Sequence, residues 1–209
     1  WTVAAGQTWT SEALPTGSVV TLAEEANTNL WTPTWDRSTL TIEGGGNVAA
    51  TVTNTLRVGW FEGKKGVDWS GVTPWDITFT GTWVAELDGT SIASGTWSVD
   101  AENGWRWVSP TKLPAGARVT LSEDATPGWT SSWNDEQVIY VPQGRRTCPE
   151  VTNTLQLGRF SIAKQVEWNG LDPAETGAFT GTWRATVGED VVGSGDWSAE
   201  AGSTWTSPD

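Results

Sequence analysis

Ile77-Thr78-Phe79-Thr80-Gly81-Thr82-Trp83-Val84-Ala85-Glu86-Leu87-Asp88-Gly89 decides the fold class. Ile77, Phe79, Gly81, Trp83, Ala85 and Leu87 share one parity, while Thr78, Thr80, Thr82 and Glu86 take the other. A period of two is that of a half-buried antiparallel strand, and Asp88-Gly89 is a two-residue hairpin signal. Outward from it, Phe79-Thr80-Gly81-Thr82-Trp83 returns as Phe179-Thr180-Gly181-Thr182-Trp183. Leu14-Pro15-Thr16-Gly17 and Val20-Thr21-Leu22-Ala23-Glu24 return as Leu113-Pro114-Ala115-Gly116 and Val119-Thr120-Leu121-Ser122-Glu123, an offset of 99. Val52-Thr53-Asn54-Thr55-Leu56 returns at that same offset as Val151-Thr152-Asn153-Thr154-Leu155. Trp1, Trp97 and Trp197 each open a stretch with a second Trp eight residues on.

The spacing predicts a tandem array cut out of phase. Residues 1–56 form the C-terminal half of a repeat, 57–155 a complete one and 156–209 the N-terminal half of the next. A period near 100 residues is the size of a β-sandwich domain and too long for a solenoid unit. No ten-residue stretch has helical periodicity, so the chain reads as all-β, as tandem Greek-key β-sandwich domains. Pro114 at i+1 and Gly116 at i+3 predict a type I turn before the next strand. Only four residues separate Leu155 from Phe160, a linker that favours a stiff rod.

Composition excludes several functions. The chain has 25 Asp plus Glu, 12 Lys plus Arg and no His, a formal charge of −13. With no basic run it has no footprint for nucleic acid or an anionic membrane surface. A single Cys permits no internal disulfide, and with no His there is no Cys/His zinc site and no hydrolase triad. Cys148 aligns with Ala49 and reads as a small strand residue. Gly44-Gly45-Gly46 reads as a turn, no phosphate loop is present, and no carboxylates have calcium-loop spacing. No metal or cofactor is therefore expected. A carboxylate pair of the glycosidase kind is not excluded by counting, but tandem copies argue against a catalytic domain. No apolar run approaches the roughly 18 residues that span a bilayer, nothing at the start resembles a signal peptide, and no membrane insertion is expected of this segment. With no Met in the sequence, Trp1 is not an initiator, and the chain reads as a processed or excerpted piece of something longer.

Three polar residues fall on inward parity. They are Glu123 with Val119 and Leu121, Asn153 with Val151 and Leu155, and Lys65 with Phe61, Gly63 and Val67. Glu24 and Asn54 repeat the pattern before them, and Lys164, with Phe160, Ile162 and Val166, repeats it after. An isolated buried charge costs more than a small domain's stability margin, so these groups should meet. Burial favours the neutral forms of an amine and an acid. A neutral ε-amine can attack the carbonyl carbon of an Asn amide, with the acid shuttling protons and ammonia leaving. Parity leaves two readings open: a Lys–Asn isopeptide crosslink, or a buried Lys–Glu ion pair with a hydrogen-bonded Asn.

Lys on the first strand, Leu-Pro-x-Gly leading to Val-Thr-Leu-x-Glu, and Val-Thr-Asn-Thr on the last strand resemble the collagen-adhesin B-type repeats of Gram-positive surface proteins and pilins. The chain is similar, more closely, to a tandem domain of uncharacterised function in actinobacterial cell-surface proteins, whose repeats also end in Val-Thr-Asn-Thr. The resemblance implies immunoglobulin-like sandwiches forming a stalk, many with a self-made Lys–Asn bond assisted by an acid. It makes Lys65 the amine, Asn153 the acceptor and Glu123 the assisting acid. Glu24 and Asn54 would serve the preceding repeat, and Lys164 the following one. Two chains placed head to tail would then let Lys164 of one bond Asn54 of another.

The 17 tryptophans are the other anomaly. Most recur at equivalent positions, as do Trp31, Trp35, Trp69 and Trp83 with Trp129, Trp133, Trp168 and Trp183. Trp83 and Trp97 have core parity, the latter with Val99 and Ala101. Trp60, Trp75 and Trp107 have no counterpart and are the candidates for a surface sugar-stacking platform. The expectation is therefore an extracellular, cell-surface structural fibre, not an enzyme beyond single-turnover crosslinking. Its partners would be neighbouring copies or repeats of the same protein. The alternative is an adhesin or carbohydrate-binding module that uses exposed Trp on a host or wall glycan or protein.

Overall fold

The computed structural model describes residues 1–25, 28–134, 137–144, 146–170 and 177–208, and every regular element among them is a β-strand. A first group comprises β1 (Val19–Thr21), β2 (Trp31–Trp35), β3 (Thr39–Thr41) and β4 (Val52–Leu56). Within it β1 pairs with β3 and β2 with β4, both antiparallel. The middle group is β5 (Val58–Asp68), β6 (Phe79–Leu87), β7 (Thr90–Val99), β8 (Arg106–Val108), β9 (Leu113–Pro114), β10 (Arg118–Glu123), β11 (Trp129–Trp133), β12 (Val138–Tyr140), β13 (Arg146–Thr147) and β14 (Glu150–Leu155). The last group is β15 (Ser161–Ala163), β16 (Phe179–Val187), β17 (Asp190–Ala199) and β18 (Thr204–Thr206), with β15 on β18 and β16 on β17.

The middle group closes into an all-β, immunoglobulin-like sandwich. One sheet has the order β12-β10-β6-β7, the other β11-β14-β5-β13, with β8 and β9 also paired to β5. β5 and β14 lie side by side and parallel, with Lys65 opposite Val151 and Asn153 opposite Val67. Phe61 from β5 meets Phe79, Trp83 and Ala85 from β6, Trp97 and Val99 from β7, and Val119 and Leu121 from β10 in one core. The inward parity read on β6 holds from Phe79 to Ala85, and Ile77 and Leu87 are half-buried at its ends. Ala101 differs from expectation. β7 ends at Val99, Ala101 begins the turn that follows, and its side chain is exposed.

Three tryptophans in or against this core, Trp83, Trp97 and Trp107, lie opposite glycines. Across β6 and β7, Gly81 faces Trp97 and Trp83 faces Gly95, and across β5 and β8 Gly63 faces Trp107. A methyl on Gly81 would lie 2.1 Å from the Ser122 carbonyl oxygen and 2.5 Å from the Trp97 indole. The glycine is what lets the indole lie across the strand and donate Nε1–H to the Ser122 carbonyl at 3.0 Å. Paired this way, a bulky aromatic covers the cross-strand gap that a glycine leaves. The same pairs recur between β16 and β17, Gly181 with Trp197 and Trp183 with Gly195.

The Asp88-Gly89 hairpin forms with both residues at positive φ, 49° and 77°, the type I′ geometry that suits the strand twist. The Leu-Pro-x-Gly turn departs from the expected type I. Ala117 N–H bonds the Pro114 carbonyl, and Gly116, at i+2, has φ of 84°. That angle at i+2 is a type II requirement, which shifts the turn one residue along from the expected register. Gly17, at φ 86°, repeats it after Pro15.

Strand junctions are short and bonded. Arg57 alone separates β4 from β5. Its N–H bonds the Leu30 carbonyl, its Nε donates to Thr32 Oγ1 at 2.9 Å, and its Nη1 reaches Gln143 Oε1 at 3.1 Å. After β14, Gln156 makes corresponding bonds to the Gly128 carbonyl and Thr130 Oγ1. Substituting Gly81→Ala should destabilise the sandwich by about 2–3 kcal/mol, because backbone on β10 and the Trp97 ring both block the methyl. Urea unfolding monitored by Trp fluorescence checks this, with exposed Thr82→Ala as the control expected to stay within about 1 kcal/mol.

Candidate functional site

Alternation along β5 buries Phe61 and Lys65 (0% and 4% exposed), while neighbouring Lys64 is half-buried and its Nζ bonds Glu150 Oε1 at 3.0 Å. Glu123 ends β10, and Asn153, 2% exposed, sits within β14. Thus the first strand, the last strand and the facing sheet each deliver one polar side chain to one point inside the core. Lys65 Nζ donates to Glu123 Oε1, and the side chains of the pair are 1% and 3% exposed. Asn153 Nδ2 donates to the same oxygen at 2.9 Å. The remaining atoms, Glu123 Oε2 and Asn153 Oδ1, are buried and have no hydrogen-bond partner among the described residues.

Aromatic rings enclose the amine. Lys65 Nζ lies 4.4 Å from the Phe79 ring centroid. Trp129 packs edge-on against the Phe79 ring at 5.3 Å, Trp105 lies tilted against that same ring at 6.1 Å, and Trp69 and Trp75 extend the cluster beyond Trp129. Lys65 N–H also bonds the carbonyl of Trp105, a non-glycine residue at φ 60°. Burial among these groups pulls the Lys65 pKa below its ordinary 10.5, and the hydrogen bond and charge of Glu123 oppose that pull. A cavity of about 20 Å³ borders Lys65, walled in part by Trp97, Leu121 and Val151, room for about one water-sized molecule.

Two protonation states of this cluster make chemical sense. With Lys65 charged and Glu123 ionised, one carboxylate oxygen serves two donors and its twin serves none. A proton moved along the Lys65–Glu123 contact leaves a free amine beside a neutral acid. Turning the Asn153 amide over exchanges Oδ1 with Nδ2. Its carbonyl then accepts from the protonated acid, which polarises the carbon that the amine would attack.

The other sequence-predicted residues form partial copies. Asn54 Nδ2 donates to Glu24 Oε1 at 2.8 Å, and Glu24 Oε2 is buried without a partner among the described residues. Lys164 Nζ lies 4.4 Å from the Phe179 centroid, as Lys65 does from Phe79. Trp75 is half-buried, 4.7 Å from Trp69. Trp107 packs on Phe61 at 5.4 Å and Trp83 at 6.3 Å, and Trp60 is half-buried on β5. The most exposed tryptophan rings are instead those of Trp1 and Trp9, 49% and 50% exposed. Parity had placed Phe79 in the core but carried no signal that its ring would floor the amine. The Trp105 and Trp129 contacts depend on loop and cross-sheet placement, which periodicity does not carry. No helix among the described residues is long and apolar enough to cross a membrane.

Residues 64–156 match the family described as a domain of unknown function (DUF5979), a span that encloses Lys65, Glu123 and Asn153. No curated protein matches the chain. Among solved structures, it is similar to the major pilin protein T3.2 of Streptococcus pyogenes at 12% identity and a TM-score of 0.35, over 64% of this chain and 64% of that one. It is also similar to the major pilin protein T-13 of Streptococcus pyogenes at 16% identity and a TM-score of 0.30, over 56% of this chain and 53% of that one. The matched region thus spans less than two thirds of either pilin.

A lowered Lys pKa sets the sign of a pH effect. Between the folded-state value and 10.5 the unfolded chain holds a proton that the folded chain lacks, so stability rises with pH across that window. Below the folded value the burial cost is present in full. In Asn153→Ala, where the amine has no amide to attack, denaturant midpoints should rise from neutral pH towards 10. Adding Lys65→Met should remove that rise; an unchanged slope in the double variant would assign it to other groups.

Proposed function

We propose that the chain is an extracellular structural protein, a stalk or fibre of tandem immunoglobulin-like domains divided at residues 1–56, 57–155 and 156–209, on a Gram-positive cell surface. Its chemistry is single-turnover formation of its own crosslink. Lys65 Nζ attacks Asn153 Cγ, the Cγ–Nδ2 bond breaks, Glu123 carries the amine proton to the departing nitrogen, and ammonia leaves. The observation that carries the reading is the convergence of amine, acid and amide on a single buried carboxylate oxygen, with the amine on the first strand and the amide on the last.

The energetic logic favours reaction over a static ion pair. A buried Lys–Glu pair gives up solvation that its mutual attraction barely restores, and Glu123 Oε2 and the neighbouring Asn153 Oδ1 have no partner among the described residues. Amide formation removes the buried charge altogether. The ring of Phe79 and the Trp105 and Trp129 contacts behind it keep bulk water from the amine, and the adjoining cavity has room for a molecule the size of ammonia. The acidic surface suits exposed copies that must stay soluble and repel one another.

Denaturing mass spectrometry of the purified chain should give a value about 17 Da below the sequence mass, the loss of one ammonia. Lys65→Ala, Glu123→Ala and Asn153→Ala should each restore the full mass. By analogy with a disulfide that closes a loop of similar length, each should also cost about 4 kcal/mol of stability. A wild-type chain at full sequence mass would reduce the triad to a buried polar cluster.

A further inference from the structure

Glycines within the strands mostly have a neighbour pressed against the place a side chain would take. A methyl on Gly59, Gly66, Gly81 or Gly95 would run into Pro142, Thr152, Trp97 or Trp83 respectively. Gly63 is different. Alone among the glycines of the described strands, it has no atom within 4 Å of that place. It shares the inward parity of buried Phe61 and Lys65 on β5. The indole opposite it, Trp107, turns to Phe61 and Trp83 instead. Gly63 is therefore part of the wall of the 20 Å³ cavity that also borders Lys65, with Trp97, Leu121 and Val151 among its other walls.

The fold does not require this gap. Phe61, Gly63 and Lys65 correspond to Phe160, Ile162 and Lys164. Ile162 lies opposite Trp205 as Gly63 lies opposite Trp107. The aromatic pairs beside them agree as well, Phe160 with Trp205 at 5.7 Å and Phe61 with Trp107 at 5.4 Å. A branched side chain is thus accepted at this position, and leaving it out forfeits the contacts it would make. A void that costs stability, two residues from a buried amine and on the same face, points to a use.

We propose that the space over Gly63 receives the ammonia that leaves Asn153, a site for one small neutral hydride. The proposal rests on the crosslink reading above and says what lets that reaction run forward. Asn153 Nδ2 and Lys65 Nζ share one oxygen of Glu123, so the leaving nitrogen starts beside the amine whose side chain borders the space. Once the amine has added to Asn153 Cγ, the tetrahedral adduct can break in two ways. Breaking Cγ–Nζ restores the starting groups. Breaking Cγ–Nδ2, with Glu123 delivering the proton, gives the new amide and one ammonia. A core at ordinary protein density has no room for a released molecule, and an ammonia held against Cγ would add back. The space over Gly63 takes one water-sized molecule, and its walls offer few polar groups, so a resident water finds few partners there with which to compete. A repeat with Ile at this place closes its bond more slowly than the middle one.

The test follows bond formation while the whole chain refolds. Chain recovered unfolded from inclusion bodies is diluted out of denaturant, and samples are stopped in acid. Mass spectrometry reads the share that is about 17 Da lighter, digestion assigns the loss to a Lys65–Asn153 peptide, and Trp fluorescence reads folding. Gly63→Ala, Gly63→Val and Gly63→Ile should fold at the wild-type rate and slow the mass loss several-fold, more as the side chain grows. In the Asn153→Ala background, where no bond forms, the same substitutions should leave the denaturant midpoint equal or higher, because they fill a void. Mass loss at the wild-type rate in all three variants would overturn the site, as would slowing matched by slower folding or a lowered midpoint. A wild-type chain that folds at full sequence mass would overturn the crosslink itself, a result distinct from both.

Discussion

A primary amine held inside an aromatic core is the constraint to which the rest of the sandwich answers. The Lys65 side chain is 1% exposed, and the acid that meets it is the last residue of β10, on the facing sheet. That acid then takes Asn153 as its second donor. Around these three groups the chain places residues that would be odd elsewhere: a Trp at positive φ whose carbonyl holds the Lys65 backbone, and a phenyl ring against the ammonium. A hydrocarbon side chain at position 65 would ask for none of this.

The site was legible in the sequence because strands have a period of two. One polar residue among Val119 and Leu121, another between Val151 and Leu155, and a third in step with Phe61 are visible without any structure, and parity also separates Lys65 from Lys64. What parity does not carry is which face meets which. That Glu123 reaches both partners through one oxygen, and that Phe79 lies under the amine, depend on how two sheets stack. The turn after Leu113 shifted by one residue because Gly116 is the residue that accepts positive φ, and composition alone does not rank i+2 above i+3. Ala101 was read as core by extending an alternation past the point where the strand stops.

The tryptophans show a different limit. Counting them suggested either ordinary core filling or a binding surface. The structure has core filling of a particular kind, in which indoles lie over glycines directly across the ladder. Both residue types are conspicuous in the sequence, and the same pairing recurs on β16 and β17, yet the link depends on cross-strand register. Once the register is known, inward-facing Gly81 and Gly95 are explained by the rings opposite them.

The parallel pairing of β5 with β14 has a mechanical consequence. Five consecutive pairs, from Lys64 with Glu150 to Asp68 with Thr154, join the strand on which the chain enters the sandwich to the strand on which it leaves. Because the two strands run the same way, the chain enters at one pole and exits at the other. Tension applied along the chain therefore pulls them lengthwise past each other and strains every rung of that ladder at once. Antiparallel neighbours at the same places would peel apart one rung at a time. The strand order alone thus loads this ladder in shear when the sandwich is pulled from its two ends.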